Sequence, residues 1–120
     1  MKEYSIGDSE FRVMEVIWDN APVASGTVSA ICEEQYGWKK TTIYTMLKRL
    51  EDKGFIKNEK TIVSYLVDRE EVERQQSEDL VKKTFKGSLP MFVNAFLGDR
   101  SLSKEDAAKL IDMIEKHTDK

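Results

Sequence analysis

Thr41, Tyr44, Thr45 and Lys48 bring hydrogen-bonding side chains together within the stretch GWKKTTIYTMLKRLEDKGF, Gly37 to Phe55. Successive helical residues turn by about 100°, so positions spaced i, i+3, i+4 and i+7 share a face. The four polar residues have this spacing. Ile43, Met46, Leu47 and Leu50 have it too, offset by two, and all of them are apolar. The pattern predicts a helix over 40–53 with an aliphatic face turned inward. The opposite face carries hydroxyls and a cation, with Thr42 and Arg49 on its flank. An ordinary exposed helix face is filled with Glu, Lys, Gln and Ala. Three threonines and a tyrosine in their place give up about half a kcal/mol of helical propensity per position.

Hydroxyls beside short methyls suit a DNA groove. A threonine can hydrogen-bond a phosphate or a base edge, and its methyl can touch that of thymine. Lys39 and Lys40 add positive charge at the helix start, where the dipole and the free N–H groups already favour a phosphate. The chain as a whole carries a net charge of −3. Between Tyr36 and Lys60, however, seven basic residues (Lys39, Lys40, Lys48, Arg49, Lys53, Lys57, Lys60) face three acidic ones (Glu51, Asp52, Glu59), a local charge of +4. A basic patch on an acidic protein is a selective electrostatic footprint. A merely solvated helix face would explain neither the threonine enrichment nor the local charge.

No catalytic set accompanies this face. His117 stands alone near the end of the sequence and reads as a solvated residue at a helix C-terminus. Cys32 falls on an apolar stripe and reads as core. The pairs Glu33/Glu34 and Glu70/Glu71 are adjacent in sequence, so they diverge on a helix. There is no glycine-rich phosphate loop and no metal-ligand spacing, so we expect neither enzymatic activity nor a cofactor or metal. With one cysteine no disulfide can form within the chain. No apolar run is long enough to span a membrane, and no signal peptide is evident. The expectation is a soluble cytoplasmic protein.

The elements that must position the polar face are legible around it. Asp8 is expected to cap a first helix carrying Phe11, Met14, Ile17 and Trp18 at helical spacing. DNAPVAS interrupts it, with Pro22 preventing continuation. Ser25 is expected to cap a second helix with Val28, Ile31 and Cys32 on one face, closed by Gly37. After the third helix, FIKN and TIVSYLV read as two strands joined through the charged EKT. Three helices and a hairpin make a winged helix-turn-helix module over residues 1–67.

Beyond Asp68 the composition changes. DREEVERQQSEDLVKKTFKG is helical by propensity, with Val72, Leu80, Val81 and Phe85 as its few apolar anchors, as in a helix that bridges packed units. SLPMFVNAFLG is apolar on nearly every side. SLSKEDAAKLIDMIEKH opens with a capping-box pattern, Ser103 and Asp106, and carries Ala107, Leu110, Ile111 and Ile114 as its stripe. About fifty residues in three helices bury too little surface to stand alone. Residues 68–120 therefore read as a helical dimerisation region, with a second copy of the chain as the simplest cover for Leu89, Met91, Phe92, Val93, Phe96 and Leu97. The fold class is mainly α with a small β-hairpin.

WKKTTIYTMLKRLEDKGFI resembles the recognition helix of the penicillinase and methicillin-resistance repressors, the BlaI/MecI family, which also takes in the CopY copper-responsive repressors. The likeness begins at IGDSEFRVMEVIWDNAPVASGTV (Ile6 to Val28) and continues through TTIYTMLKRLEDKG (Thr41 to Gly54) and FKGSLPMFVNAFL (Phe85 to Leu97). It ends in the helix Lys104–His117. The resemblance implies a homodimeric transcriptional repressor that reads one half of an inverted-repeat operator with each winged helix. Lys39, Lys40, Thr41, Thr42, Tyr44, Thr45, Lys48 and Arg49 match the DNA-facing segment, and Lys60 matches the wing. Phe85, Leu89, Phe92, Val93, Phe96, Leu97, Leu110 and Ile114 fall in the dimer-forming helices.

Four departures from the family pattern bear on mechanism. The hairpin NEKTIVSY is short and lacks the tip Gly and Arg. Lys39 stands where Ser or Thr commonly caps the recognition helix. Relatives that respond to β-lactams are cleaved by a regulatory protease at an Asn-Phe bond, and the matching bond here is Ala95-Phe96, with Asn94 one residue early. The cysteine cluster of the copper-responsive branch is missing from IEKHTDK. A second reading, from a different class, is a winged-helix module that contacts proteins rather than DNA. The short wing and the acidic total favour that alternative, while the +4 window and the threonine face oppose it.

Overall fold

The computed structural model describes residues 5–119. The order of elements is α1 (Asp8–Asn20), β1 (Val23–Ala24), α2 (Ser25–Tyr36), α3 (Lys40–Asp52), β2 (Ile56–Glu59), β3 (Ile62–Tyr65), α4 (Arg69–Phe85), α5 (Leu89–Leu97) and α6 (Lys104–Lys116). They fall into two compact units, the first ending at Glu78 and the second beginning at Asp79.

Helix α1 starts one residue earlier than a capping Asp8 would have it. Gly7 is the extended cap residue, and its N–H donates to Glu10 Oε1 at 3.0 Å. The carboxylate of the third helical residue thus satisfies the group at the cap, and Asp8 lies inside the first turn. Val13, Met14 and Ile17 are fully buried, with Phe11 and Trp18 packed beside them.

Helix α2 also departs from the expected capping. Ser25 is its first helical residue and Ala24 the cap. The Ser25 N–H donates instead to the Thr61 carbonyl at 2.8 Å, because the chain before it is drawn into the sheet. Val23 pairs with Val63, and Ala24 with Ile62, which makes a third strand. Two residues are too few to show an alternating pattern. Val28, Ser29 and Cys32 form the buried face, while Ile31 is only partly covered. Gly37 ends the helix at φ 67°, a left-handed conformation for which glycine has no Cβ penalty.

The sheet runs β1-β3-β2, all antiparallel. Ile56 faces Tyr65, and Glu59 faces Ile62, so β2 and β3 are joined by a two-residue turn at Lys60 and Thr61. Both have positive φ, 52° and 68°. Tight hairpins favour this geometry but usually fill it with Asn-Gly, and Thr, being β-branched, is unfavourable there. Phe55, Ile56 and Val63 extend the helical core, as do Val67 and Val72. The composition shift at Val67/Asp68 marks the entry to α4, but the first compact unit continues to Glu78 because Val72 is wholly buried in the core.

From Asp79 onward no described residue is buried. Ser88 caps α5 by accepting from the Met91 N–H at 3.2 Å, and Ser103 caps α6 by accepting from the Asp106 N–H at 3.0 Å. Arg100 closes the end of α5. It donates to the Phe96 and Leu97 carbonyls, and its guanidinium lies 5.1 Å from the centre of the Phe96 ring.

Candidate nucleic-acid interface

Helix α3 has the two faces its spacing predicts. Ile43 and Leu50 are fully buried, and Met46 and Leu47 nearly so. Lys39, Lys40, Thr41, Thr42, Tyr44, Thr45, Lys48 and Arg49 are all exposed. Burial of the aliphatic face against α1 and α2 fixes the rotation of the helix, and that rotation alone presents the polar face outward. Trp38, Thr41, Thr42, Thr45, Met46 and Arg49 line a shallow groove of about 390 Å³ together with Ser9 of α1. Ser9 has no spacing relation to α3 in the sequence, so only the fold brings it to this face.

The start of α3 is uncapped. Lys39 is the extended cap residue, and its side chain accepts no hydrogen bond from the helix. Among the described residues no side chain caps these first-turn N–H groups, which lie beside the charges of Lys39 and Lys40, an arrangement that favours an anion. Trp38 stacks on Tyr36 with ring centres 4.5 Å apart, which stiffens the approach on either side of Gly37. The Tyr44 hydroxyl reaches α2, lying 4.0 Å from where a Cβ on Gly26 would sit. Thr45 Oγ1 donates to the Thr41 carbonyl at 2.9 Å. Its hydroxyl proton is thus committed to the helix, and its methyl and its oxygen lone pairs remain for a partner.

Ion pairing divides the seven basic residues of the +4 window. Lys48 lies 3.9 Å from Glu51 and 3.5 Å from Asp52 on its own helix, and Lys57 lies 3.3 Å from Glu59. Such exposed pairs are worth about 0–1 kcal/mol and yield readily to a phosphate. Lys53 is different. Its Nζ contacts both carboxylate oxygens of Glu10, at 2.9 and 3.2 Å, and Glu10 is only 7 % exposed. Burial by itself raises the Glu10 pKa. The Gly7 N–H and the Lys53 ammonium outweigh it, so the carboxyl titrates below its ordinary value. Among the described residues, Lys39, Lys40, Arg49 and Lys60 make no ion pair. On the wing, Lys57, Glu59, Lys60, Ile62 and Ser64 line a second open groove.

This winged helix, with its uncapped and threonine-faced third helix, matches the penicillinase repressor family model over residues 6–116. The chain belongs to the penicillinase repressor family. It is 29 % identical over 119 residues to the Staphylococcus aureus (strain N315) methicillin resistance regulatory protein MecI, covering 96 % of this chain and 97 % of that one. It is 28 % identical over 116 residues to the Bacillus licheniformis penicillinase repressor, covering 93 % and 91 %. Among solved structures it is similar to the DNA-binding domain of the repressor BlaI, at 30 % identity and a TM-score of 0.53, over 57 % of this chain and 88 % of that one. The monomeric form of B. licheniformis BlaI in complex with the blaP half-operator matches at 30 % identity and a TM-score of 0.50, with the same coverage.

In the second unit of this family member, Leu89, Val93, Phe96, Leu110 and Ile114 are exposed, as are Met91, Ile111 and Met113. Phe85, Phe92 and Leu97 are half-buried. Part of their cover is local, because the Phe85 and Phe92 rings meet edge-on at 5.5 Å and Phe92 lies 6.1 Å from Phe96. Ala95 and Phe96 are exposed within helical α5. Cys32 is buried on α2, and desolvation raises its thiol pKa, the reverse of an activated thiol.

Proposed function

We propose that this member of the repressor family acts as a homodimer in the cytoplasm, using α3 to read double-stranded operator DNA. The single observation that carries the reading is the division of α3, aliphatic residues inward and Lys39, Lys40, Thr41, Thr42, Tyr44, Thr45, Lys48 and Arg49 outward. A phosphate would sit on the uncapped first turn between Lys39 and Lys40. Thr41, Thr42 and Thr45 would meet base edges, and Tyr44, Lys48 and Arg49 would border them. Lys60 would follow the backbone from the wing. Dimerisation is supported by a second unit that fully buries none of its described residues yet carries Leu89, Val93, Phe96, Leu110 and Ile114 in the open, a surface that a second copy would cover. Phe85, Phe92 and Leu97 would join that interface. A regulatory protease acting at Ala95-Phe96 would first have to open the last turn of α5, which Arg100 ties down.

The direct test is fluorescence anisotropy with labelled duplex DNA over a salt series. We expect log affinity to fall linearly with log salt, at roughly −0.9 per phosphate contacted. Arg49→Ala should lower that slope by about one contact, and Lys57→Ala by less, since Lys57 already pairs with Glu59. A folded protein with no salt-dependent binding would refute the reading and favour the protein-contact alternative.

A further inference from the structure

Residues 67–72 are fastened to α1 by several different contacts at one place. The Trp18 indole Nε1–H donates to the Val67 carbonyl at 2.9 Å. The Arg69 guanidinium lies 5.3 Å from the centre of the Trp18 ring. Its Nη2 donates to Asp19 Oδ1 at 2.6 Å and to the Glu15 carbonyl at 3.4 Å. Phe11 supports Trp18 from the side, ring centres 5.7 Å apart. Three residues further on, Val72 is fully buried.

Hydrophobic burial of Val67 and Val72 is enough to keep this segment on the core. An exposed ion pair adds little to that. What the Arg69 contacts add is direction, since a planar guanidinium held over an indole and bonded to a carboxylate and a carbonyl has a restricted geometry, which an ammonium would not reproduce. Arg69 is the first residue of α4, and α4 is one continuous helix of 17 residues leading out of the winged-helix unit. A dimer gains affinity for two half-sites only when both reading helices arrive at the matching separation, and slack in the connection dilutes that gain.

We propose that Trp18, Asp19 and Arg69 form a latch that sets operator half-site spacing by fixing the direction in which α4 leaves the winged-helix unit. The proposal rests on the dimeric repressor reading above. Arg69 is then a positioning residue, bonded to α1 and not among the exposed side chains of α3.

The test uses the full chain with Arg69→Ala and, separately, Asp19→Ala, which remove opposite ends of the same pair. Affinity is measured for a duplex holding one half-site and for inverted repeats whose spacer is changed one base pair at a time. Both variants should bind the single half-site as the parent does. On the best-spaced repeat they should lose about tenfold as avidity falls, and the spacer dependence should flatten. Amide exchange of residues 70–76 without DNA should also accelerate in both. Unchanged exchange would overturn the latch whatever the DNA result. Accelerated exchange with an unaltered spacer profile would overturn its role in spacing. A parent chain that showed no preference for any inverted repeat would instead overturn the dimeric reading on which the proposal stands.

Discussion

Replacing Lys53 with Ala tests how α3 is anchored. Lys53 follows the last residue of α3, and its ammonium contacts a carboxylate on α1 that is only 7 % exposed. Removing one member of a fully buried ion pair costs about 3–5 kcal/mol. Here the lysine is itself 39 % exposed, and the Gly7 N–H still donates to Glu10 in the variant. We therefore expect a loss of roughly 1–2 kcal/mol, near the value of one charge-assisted hydrogen bond. The sign with pH follows from the lowered Glu10 pKa. A carboxyl whose folded pKa lies below its unfolded value contributes stability above that unfolded value, and loses it as pH falls through the folded pKa. The gap between parent and variant should thus be complete at pH 7 and narrow below about pH 4. Urea unfolding at pH 7 and pH 3 measures it. A gap of the same size at both pH values, or none at pH 7, would refute the reasoning. The DNA salt slope should not change, because this ammonium is already committed.

Further expectations are equally direct. Thr45→Val keeps the methyl and discards a hydroxyl whose proton is tied to Thr41, so base preference in a selection experiment should survive it, whereas Thr45→Ala should relax that preference by about 1 kcal/mol. Equal loss in both would mean that the oxygen does the reading. Replacing Lys60-Thr61 with Asn-Gly puts residues that tolerate positive φ at both turn positions and should stabilise the protein by about 1 kcal/mol in thermal unfolding. A chain ending at Leu66 lacks Val67, Val72 and the Trp18 contact, and should fail to fold. One ending at Glu78 should give a cooperative monomer by circular dichroism and sedimentation.

The polar, exposed face of α3 was legible because it depends on local period alone. Four aliphatic residues at helical spacing determine which way α3 turns, whatever it packs against, and their burial matches the spacing. Gly37 and Ser103 were legible for the same reason, since a left-handed cap and a capping serine act within one turn. Contacts made across the chain were not. Lys53 and Glu10 are 43 residues apart, so in a window of sequence Lys53 counts as one more phosphate-seeking cation, while in the fold it belongs to α1. Trp18 and Val67, 49 residues apart, look in sequence like a core aromatic and the end of a strand. Ser25 has the chemistry of a cap, yet the pairing of β1 with β3 directs its N–H to Thr61. Val72 is likewise buried in the core from the first turn of α4, whose neighbouring residues are polar, so local composition gives no sign of that contact.

Selection of bound fragments from a random duplex pool, with the full chain at near-physiological salt, is the most direct test of α3 as the reading element of a dimer. The expected product is an inverted repeat with half-site centres about one helical turn apart, or slightly more. Its base preference should relax at defined positions when Thr45 is replaced with Ala. A pool that emerges unenriched, from protein shown to be folded and dimeric, would contradict the account.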